Sequence, residues 1–250
     1  MKNRFIISAL ASVAVLGLAS CDDYLDINSD PNSPASSDIT PSMVMPGVEM
    51  QLAATYGSDL RTIGGYLSQH YAQYFGTSNY LDFSQFQVSA TRGGYVYDYA
   101  YARVLANLKD AIEKAEASED WGTYLACTTL RAFTFQMLID CFGETPYLEA
   151  IDENNLSPCY DEGQAVYDGI ITELDNALSK VNGGETVCTN FLFPGEKADS
   201  WIKFANALKL RILMRESGVK DVKAQLAALI EEGNFPEADV QFDVCLKDEN

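Results

Sequence analysis

Apolar residues recur at spacings of three and four along most of the chain after residue 42, which is the period of one helix face. The pattern predicts seven helical segments, at residues 43–56, 60–75, 104–115, 121–142, 166–181, 201–215 and 222–230. A period-two run occurs only near residues 83–88, where a short strand is the alternative. Helices of similar length joined mainly by short loops predict an all-α fold of packed helical hairpins.

Residues at helix ends sharpen these boundaries. Gly76, Gly143 and Gly233 follow three of the segments, and glycine is the preferred residue just after a helix. Asp161 and Gln164 have the spacing of a capping box, so we expect them to start the helix that contains the stripe at 166–181.

The first 20 residues have the pattern of a secretory signal. Lys2 and Arg4 precede an uncharged run, residues 5–19, that is shorter than the ~20 apolar residues of a spanning helix. The run ends in Leu-Ala-Ser before Cys21, which resembles a bacterial lipobox. Cleavage before Cys21 is expected to leave lipids on that cysteine, and acyl chains anchor a protein without a transmembrane helix. An uncleaved helical anchor and a plain secretory signal are the alternatives.

Residues 21–41 are predicted to form an extended tether, followed by a helical domain over residues 42–250. Asp, Asn and Ser dominate this stretch, and Pro31, Pro34 and Pro41 interrupt regular structure. The alternating acids and amides from Asp26 onward are reminiscent of a calcium loop. However, Pro31 and Ser37 stand where that loop needs Gly and Glu, so we expect a polar turn and no metal.

Charge excludes several classes of function. The chain has 17 Lys+Arg and 36 Asp+Glu, a net charge of −19, so nucleic-acid binding and attraction to anionic lipid are not expected. Loss of residues 1–20 removes two basic residues and makes the net charge −21. The single histidine, His70, provides no two-histidine metal site, and we interpret it as an interior or rim residue. The common motifs of hydrolases, nucleotide-binding loops and zinc proteases are missing, and we expect no cofactor.

Five further cysteines have no C-x-x-C spacing and cannot all pair within one chain: Cys127, Cys141, Cys159, Cys188 and Cys245. Cys127 and Cys141 lie in helical patterns and are expected to be small buried residues. No structural disulfide is expected.

Aromatic residues concentrate between positions 66 and 101, a stretch that holds 11 of the 28 Tyr, Phe and Trp residues of the chain. Tyr71, Tyr74 and Phe75 are expected to pack in the core. Tyr80 stands in a polar loop, and Tyr95 and Tyr97 stand near a helix start, where alternating residues cannot all face one side. Tyrosine has both an apolar face and a polar tip, which suits a sugar ring or a peptide surface. We therefore hypothesise that Tyr80, Tyr95 and Tyr97 bind ligand.

Four segments, in this order, resemble the SusD/RagB family of outer-membrane lipoproteins: residues 21–32 (CDDYLDINSDPN), 130–147 (LRAFTFQMLIDCFGETPY), 167–178 (YDGIITELDNAL) and 201–211 (WIKFANALKLR). Asp22 and Asp23 also resemble the surface-export signal of Bacteroidetes lipoproteins. The motif residues Gly143 and Pro146 are interpreted as a helix end, and Trp201 and Phe204 as packing residues.

The resemblance implies a tetratricopeptide-like scaffold of helical hairpins with irregular loops. It also implies a non-enzymatic lipoprotein without catalytic residues, anchored in the outer membrane and facing the cell exterior. Such a protein captures glycans, or peptides, and docks on a SusC-like TonB-dependent transporter for import, and aromatic stacking often holds the glycan. Family members are longer, so the chain is expected to correspond to the N-terminal portion of the family fold. The alternatives are a helical interaction scaffold or a degenerate truncated paralogue without a complete ligand site, and thirdly a glycoside hydrolase.

Overall fold

A computed structural model describes residues 36–74, 76, 78–195 and 197–241. The chain divides into two compact units, residues 1–39 and 40–250. In the described part of the first unit, Ser36–Asp38 forms a 3₁₀ turn. The predicted signal peptide, Cys21 and the tether up to residue 35 lie outside the described residues.

In the described residues of the second unit, nine α-helices are present. They are α1 (Pro41–Thr55), α2 (Arg61–Leu67), α3 (Leu81–Ser84), α4 (Gly94–Tyr99), α5 (Ala106–Ala117), α6 (Trp121–Phe142), α7 (Gly163–Ser179), α8 (Ala198–Glu216) and α9 (Lys223–Glu232). A π-helical turn, Tyr56–Leu60, joins α1 to α2, and a second, Ala100–Leu105, joins α4 to α5. The predicted all-α class is confirmed, since the described residues contain isolated β-bridges but no strand.

Helix α1 begins at Pro41, whose restricted φ suits a first helical turn. Its apolar positions Met45, Val48 and Leu52 follow the helical period and are buried. The π-turn then carries the same helical course into α2.

The helix predicted over residues 60–75 is wrong in its second half, because α2 ends at Leu67. The backbone turns at Gln69, which has a φ of 61°, and the N–H of Tyr71 donates to the carbonyl of Gly65 at 2.9 Å. The Tyr71 ring folds back onto Gly65, where a Cβ would lie 2.2 Å from the ring. The side-chain-free surface of Gly65 thus lets the chain reverse before the apolar pattern ends.

The strand alternative near residues 83–88 is also wrong. Leu81–Ser84 forms the short helix α3, and Phe86 follows with a φ of 55°. Phe83 is buried, whereas residues 84–90 are exposed. A strand with one buried face would bury every second residue, but no other apolar residue of this run is buried.

Helix α6 is the centre of the fold and packs against α5, α7 and α8. Asp120 caps its start by accepting the N–H of Thr123 at 3.2 Å, and Gly143 ends it with a φ of 84°. Most of its side chains are buried on all sides of the helix, including Phe135 and Leu138. Successive helices thus pack as hairpins around one long buried helix.

The turn after α6 is held by Asp161, which was predicted to cap α7. Residue Glu162 takes the N-cap position of α7 without a side-chain cap bond, so the predicted capping box is wrong. Instead, the Asp161 carboxylate accepts the N–H groups of Tyr147 at 2.8 Å and Leu148 at 3.0 Å. The amides freed by the turn at Pro146 have no helical partner, and they provide Asp161 with donors.

The predicted apolar stripe of α7 is confirmed, since Val166, Ile170, Leu174 and Ala177 are buried. Trp201 on α8 is fully buried and packs edge-on to Phe193. Helix α9 closes the described chain through a small cluster with α8, formed by Leu213, Val222 and Leu229.

The cysteines differ in burial. Cys127 is fully buried, as predicted, but Cys141 is exposed, so its predicted burial is wrong. Cys141 lies in the last turn of α6, where the helix emerges from the core beside the exposed Asp140.

Candidate functional site

The first group of aromatic rings surrounds Tyr66 at the end of α2. Its ring stacks on Tyr80 at 5.0 Å between centroids and on Phe83 at 5.6 Å. The side-chain oxygen of Gln73 accepts the backbone N–H of Tyr80 at 3.1 Å and the Tyr66 hydroxyl at 3.4 Å. These contacts tie the irregular loop between α2 and α3 to the helix before it.

Arg92 completes this group. Its guanidinium lies 5.3 Å from the Phe83 ring centre and 5.8 Å from that of Tyr80, within cation–π range. Asp82 holds Arg92 by an ion pair of 2.6 Å. The predicted site residue Tyr80 is therefore half-buried, with a ring partner and a cation beside it.

The second group is a ladder on the outer face of the helix that starts at Gly94. The ring of Tyr95 lies 6.0 Å from that of Tyr99, one turn later, and the guanidinium of Arg103 lies 4.7 Å from the Tyr99 ring. Tyr95 is 69% exposed. We call Tyr95, Tyr99 and Arg103 the tyrosine ladder.

Tyr97 belongs to a third group, which links α4 to the turn after α6. Its ring lies 4.8 Å from Tyr101 and edge-on to Phe142 at 5.4 Å, and its hydroxyl lies 3.5 Å from that of Tyr160. Burial, followed by the bond to Tyr160, raises the pKa of Tyr97. The Tyr101 hydroxyl bonds Thr145 and the carbonyl of Pro146 at 2.5 Å each. Tyr97 thus packs within the fold as well as reaching its surface.

The three predicted site residues therefore lie in three separate ring groups. Tyr95 and Tyr97 are two positions apart on one helix and face different neighbours, as the helical period requires. The predicted core position of Tyr71 and Tyr74 is wrong, since they are 45% and 79% exposed. Phe75 lies outside the described residues.

Two further rings are exposed, although no pattern in the sequence indicated this. Phe86 is 86% exposed and Tyr160 is 63% exposed. The unusual backbone of Phe86 follows from a tight bend that no periodic signal reports. His70, interpreted from the sequence as an interior or rim residue, is exposed.

A groove of about 520 Å³ lies beside Phe83 and Arg92, between α2, the end of α6 and α8. Its lining is mainly apolar and includes Ile63, Met137 and Phe142. The size is within the range of small-molecule sites. At its polar edge, Asp140 accepts from Arg215 at 3.0 Å and from the Tyr167 hydroxyl.

A second cleft, of about 330 Å³, lies where Arg131 meets Tyr147. The Arg131 guanidinium is 5.0 Å from the Phe135 ring and 5.3 Å from the Tyr147 ring, and it pairs with Glu173. The Tyr147 hydroxyl donates to Glu173 at 2.5 Å. Each charge in this cleft has a partner within the fold, so we regard the cleft as scaffold.

Among the described residues, no group of three or more His, Cys, Asp or Glu is placed to hold a metal ion. No helix in the described part of the chain has the length and apolar character needed to cross a membrane.

Comparisons with known proteins agree with this architecture. A SusD-like family described as "starch-binding associating with outer membrane" matches residues 31–243. A structure named as a chitin-binding protein superimposes with a TM-score of 0.68 at 23% identity, covering 80% of this chain and 44% of that one. A SusD/RagB family protein from Bacteroides thetaiotaomicron gives 0.68 at 22% identity, covering 85% and 46%. A SusD homologue from Bacteroides fragilis gives 0.63 at 20% identity, covering 80% and 42%.

Among curated proteins, none matches significantly. The chain spans less than half the length of the solved structures it resembles. The family match covers most of the sequence, and the fold agrees with that of SusD/RagB structures. This chain therefore belongs to the SusD-like family.

Proposed function

We propose that this protein is a non-enzymatic binding protein that captures glycans at the cell surface for import. The observation that carries the proposal is the exposed tyrosine ladder, which presents Tyr95 beside Tyr99 and Arg103 on a fixed helix face. Support also comes from the description of the matching family as starch-binding and from the chitin-binding structure.

The chemistry of the ladder suits a neutral sugar chain. Tyrosine rings offer apolar faces to the C–H faces of a pyranose, and their hydroxyls and Arg103 offer hydrogen bonds to its hydroxyl groups. The net charge of −19 disfavours polyanionic ligands. Peptides remain the alternative ligand class implied by the family resemblance.

The location and the partner are proposed on the basis of the same family. We propose that residues 1–20 are a signal peptide, that Cys21 carries the lipid, and that residues 21–41 tether the helical domain, residues 42–250, to the outer membrane. The partner would be a SusC-like TonB-dependent transporter. The family description places its members in association with the outer membrane.

Isothermal titration with chitin and maltose oligosaccharides and a peptide panel tests the binding proposal. We expect affinity for at least one glycan, and a loss of roughly fivefold or more, about 1 kcal/mol, for Tyr95→Ala. Tyr80→Ala and Tyr97→Ala test the other two predicted residues. The control is Leu156→Ala, since Leu156 is 92% exposed and lies in another loop. If all four variants bind with the same affinity as wild type, the three tyrosines do not contact the ligand.

A helical interaction scaffold without a ligand site is the second candidate. It is favoured by the placement of Tyr80, Tyr95 and Tyr97, which lie in three separate ring groups rather than around one cleft. Co-purification with the transporter combined with no affinity for any glycan or peptide would select it.

A further inference from the structure

Two thiols meet where the connection between α7 and α8 crosses α6. Cys127 is fully buried in α6, and Cys188 lies part-buried in the connection. Cys188 packs against the core cluster to which Cys127 belongs, and each thiol shifts the pKa of the other. The two thiols are therefore close neighbours, and both are free in this structure.

The backbone on both sides of Cys188 is held in place against α6. Its N–H donates to the Thr123 hydroxyl at 2.9 Å, and its carbonyl accepts from the Asn190 side chain at 2.9 Å. Thr123 and Cys127 are four residues apart and so share one face of α6. The bond to Thr123 thus places Cys188 over the helix face that carries Cys127.

A close backbone contact at Gly122, the residue before Thr123 in α6, also holds the connection in this position. Gly122 lies against the Thr186 carbonyl so tightly that a Cβ on Gly122 would be 2.2 Å from the carbonyl oxygen. The connection cannot lift away from α6 without losing this contact and the Thr123 bond together.

The two thiols differ in pKa. The neighbouring Cys127 thiol lowers the pKa of Cys188, whereas Cys188 and complete burial raise the pKa of Cys127. Cys188 is also the more exposed of the two. Thiolate character and access both make Cys188 the attacking sulfur.

We propose that Cys127 and Cys188 form a redox-active dithiol that closes to a disulfide by exchange with a small external disulfide. The Cys188 thiolate attacks one sulfur of the external disulfide and expels the other as a thiolate, giving a mixed disulfide. Cys127 then loses its proton, attacks Cys188 Sγ and expels the second external thiol. The protein dithiol loses two electrons and two protons, and the external disulfide is reduced to two thiols.

The disulfide would join α6 to the connection that also contacts α1, where Phe191 donates to Glu49. Since the crosslink closes a long loop of chain, it reduces the freedom of the unfolded state and raises the midpoint of thermal unfolding. It would form in an oxidising, extracytoplasmic setting.

Oxidised glutathione added to the purified full chain tests the proposal. After reaction, the protein is denatured, its free thiols are alkylated, and the peptides are mapped by mass spectrometry without reduction. We expect a crosslinked pair containing Cys127 and Cys188, with a mass 2 Da below that of the two thiol peptides, which is the loss of two hydrogens. The midpoint of thermal unfolding should rise in the oxidised wild type and return on reduction.

Matched variants separate this pair from other thiols. Cys141→Ser and Cys159→Ser change exposed cysteines and should keep both the crosslink and the thermal shift. Cys127→Ser should stop the reaction at a Cys188–glutathione mixed disulfide, and Cys188→Ser should show neither product. Wild type that retains both thiols, or that accumulates only the mixed disulfide at Cys188, would overturn the proposal.

Discussion

The buried carboxylate of Glu49 on α1 accepts the backbone N–H of Phe191 at 2.5 Å, across 142 residues of sequence. A second amide, that of Leu192, lies 3.4 Å from the same carboxylate. Glu49 thereby holds the connection before α8 onto the first helix. Burial raises the pKa of Glu49 to about 7, against the lowering effect of these two amides.

We predict that Glu49 makes the free energy of unfolding depend on pH. The folded protein holds the Glu49 proton more tightly than the unfolded chain does, because its pKa is raised from 4.5 to about 7. The contribution of Glu49 to the free energy of unfolding is thus complete below about pH 4.5 and is lost as pH rises through 7. Glu49→Gln should remove this dependence. The free energy of unfolding of the variant, relative to that of wild type, should therefore increase by on the order of 2 kcal/mol from pH 5 to pH 8.

Urea unfolding at four pH values measures this difference. Glu153→Gln, an exposed substitution with the same change of charge, is the control. Parallel pH profiles for wild type and Glu49→Gln would contradict the prediction.

Asp161→Ala should destabilise the turn after α6. The substitution removes a charged acceptor from two backbone amides, those of Tyr147 and Leu148, and we expect a loss of about 2–3 kcal/mol in the free energy of unfolding. Hydrogen exchange at both amides should accelerate. Glu162→Ala, at the neighbouring position with no side-chain cap bond, should change neither quantity.

Gly122→Ala and Gly47→Ala should change stability in opposite directions. A Cβ at Gly122 meets the Thr186 carbonyl oxygen at 2.2 Å, so the connection must shift, and we expect a loss of about 1–3 kcal/mol. A Cβ at Gly47 has nothing within 4 Å, so better helix propensity should add about 0.5–1 kcal/mol. Thermal and urea unfolding of both variants measure the contrast, and equal effects would argue against the close approach.

Substitutions of Tyr95 and Tyr97 should differ in their effect on stability. Tyr95→Ala removes an exposed ring and should leave the free energy of unfolding within about 0.5 kcal/mol of wild type. Tyr97→Ala removes contacts with Tyr101 and Phe142 and should cost about 1–2 kcal/mol. Tyr97→Phe keeps the ring contacts and should recover most of that loss, whereas equal destabilisation by Phe and Ala would assign the effect to the hydroxyl.

Cys21→Ala should release the protein from the outer membrane, because the predicted lipid attaches to that sulfur. Membrane fractionation of cells expressing wild type and variant measures the partition, and Cys159→Ala is the matched cysteine control. Continued recovery of the Cys21→Ala protein in the outer-membrane fraction would reject the lipoprotein prediction.

Patterns local in sequence predicted much of the fold. The stripe of Val166, Ile170 and Leu174 and the stop at Gly143 need only neighbouring residues, because a helix repeats every 3.6 positions. The predicted helix over residues 60–75 and the predicted cap at Asp161 failed because contacts with other segments overrode the local signal.

The sequence by itself determined the all-α class, the main helices and the resemblance to a family, since each depends on short-range periodicity or on motifs. Only the tertiary structure decided that Tyr95 is exposed while Tyr97 packs on Phe142, and that Glu49 meets Phe191 and Cys127 meets Cys188. These pairs join positions far apart along the chain. Their contacts arise when separate helices bury their apolar faces against each other. The hydrophobic pattern of one segment does not show which other segment it will contact.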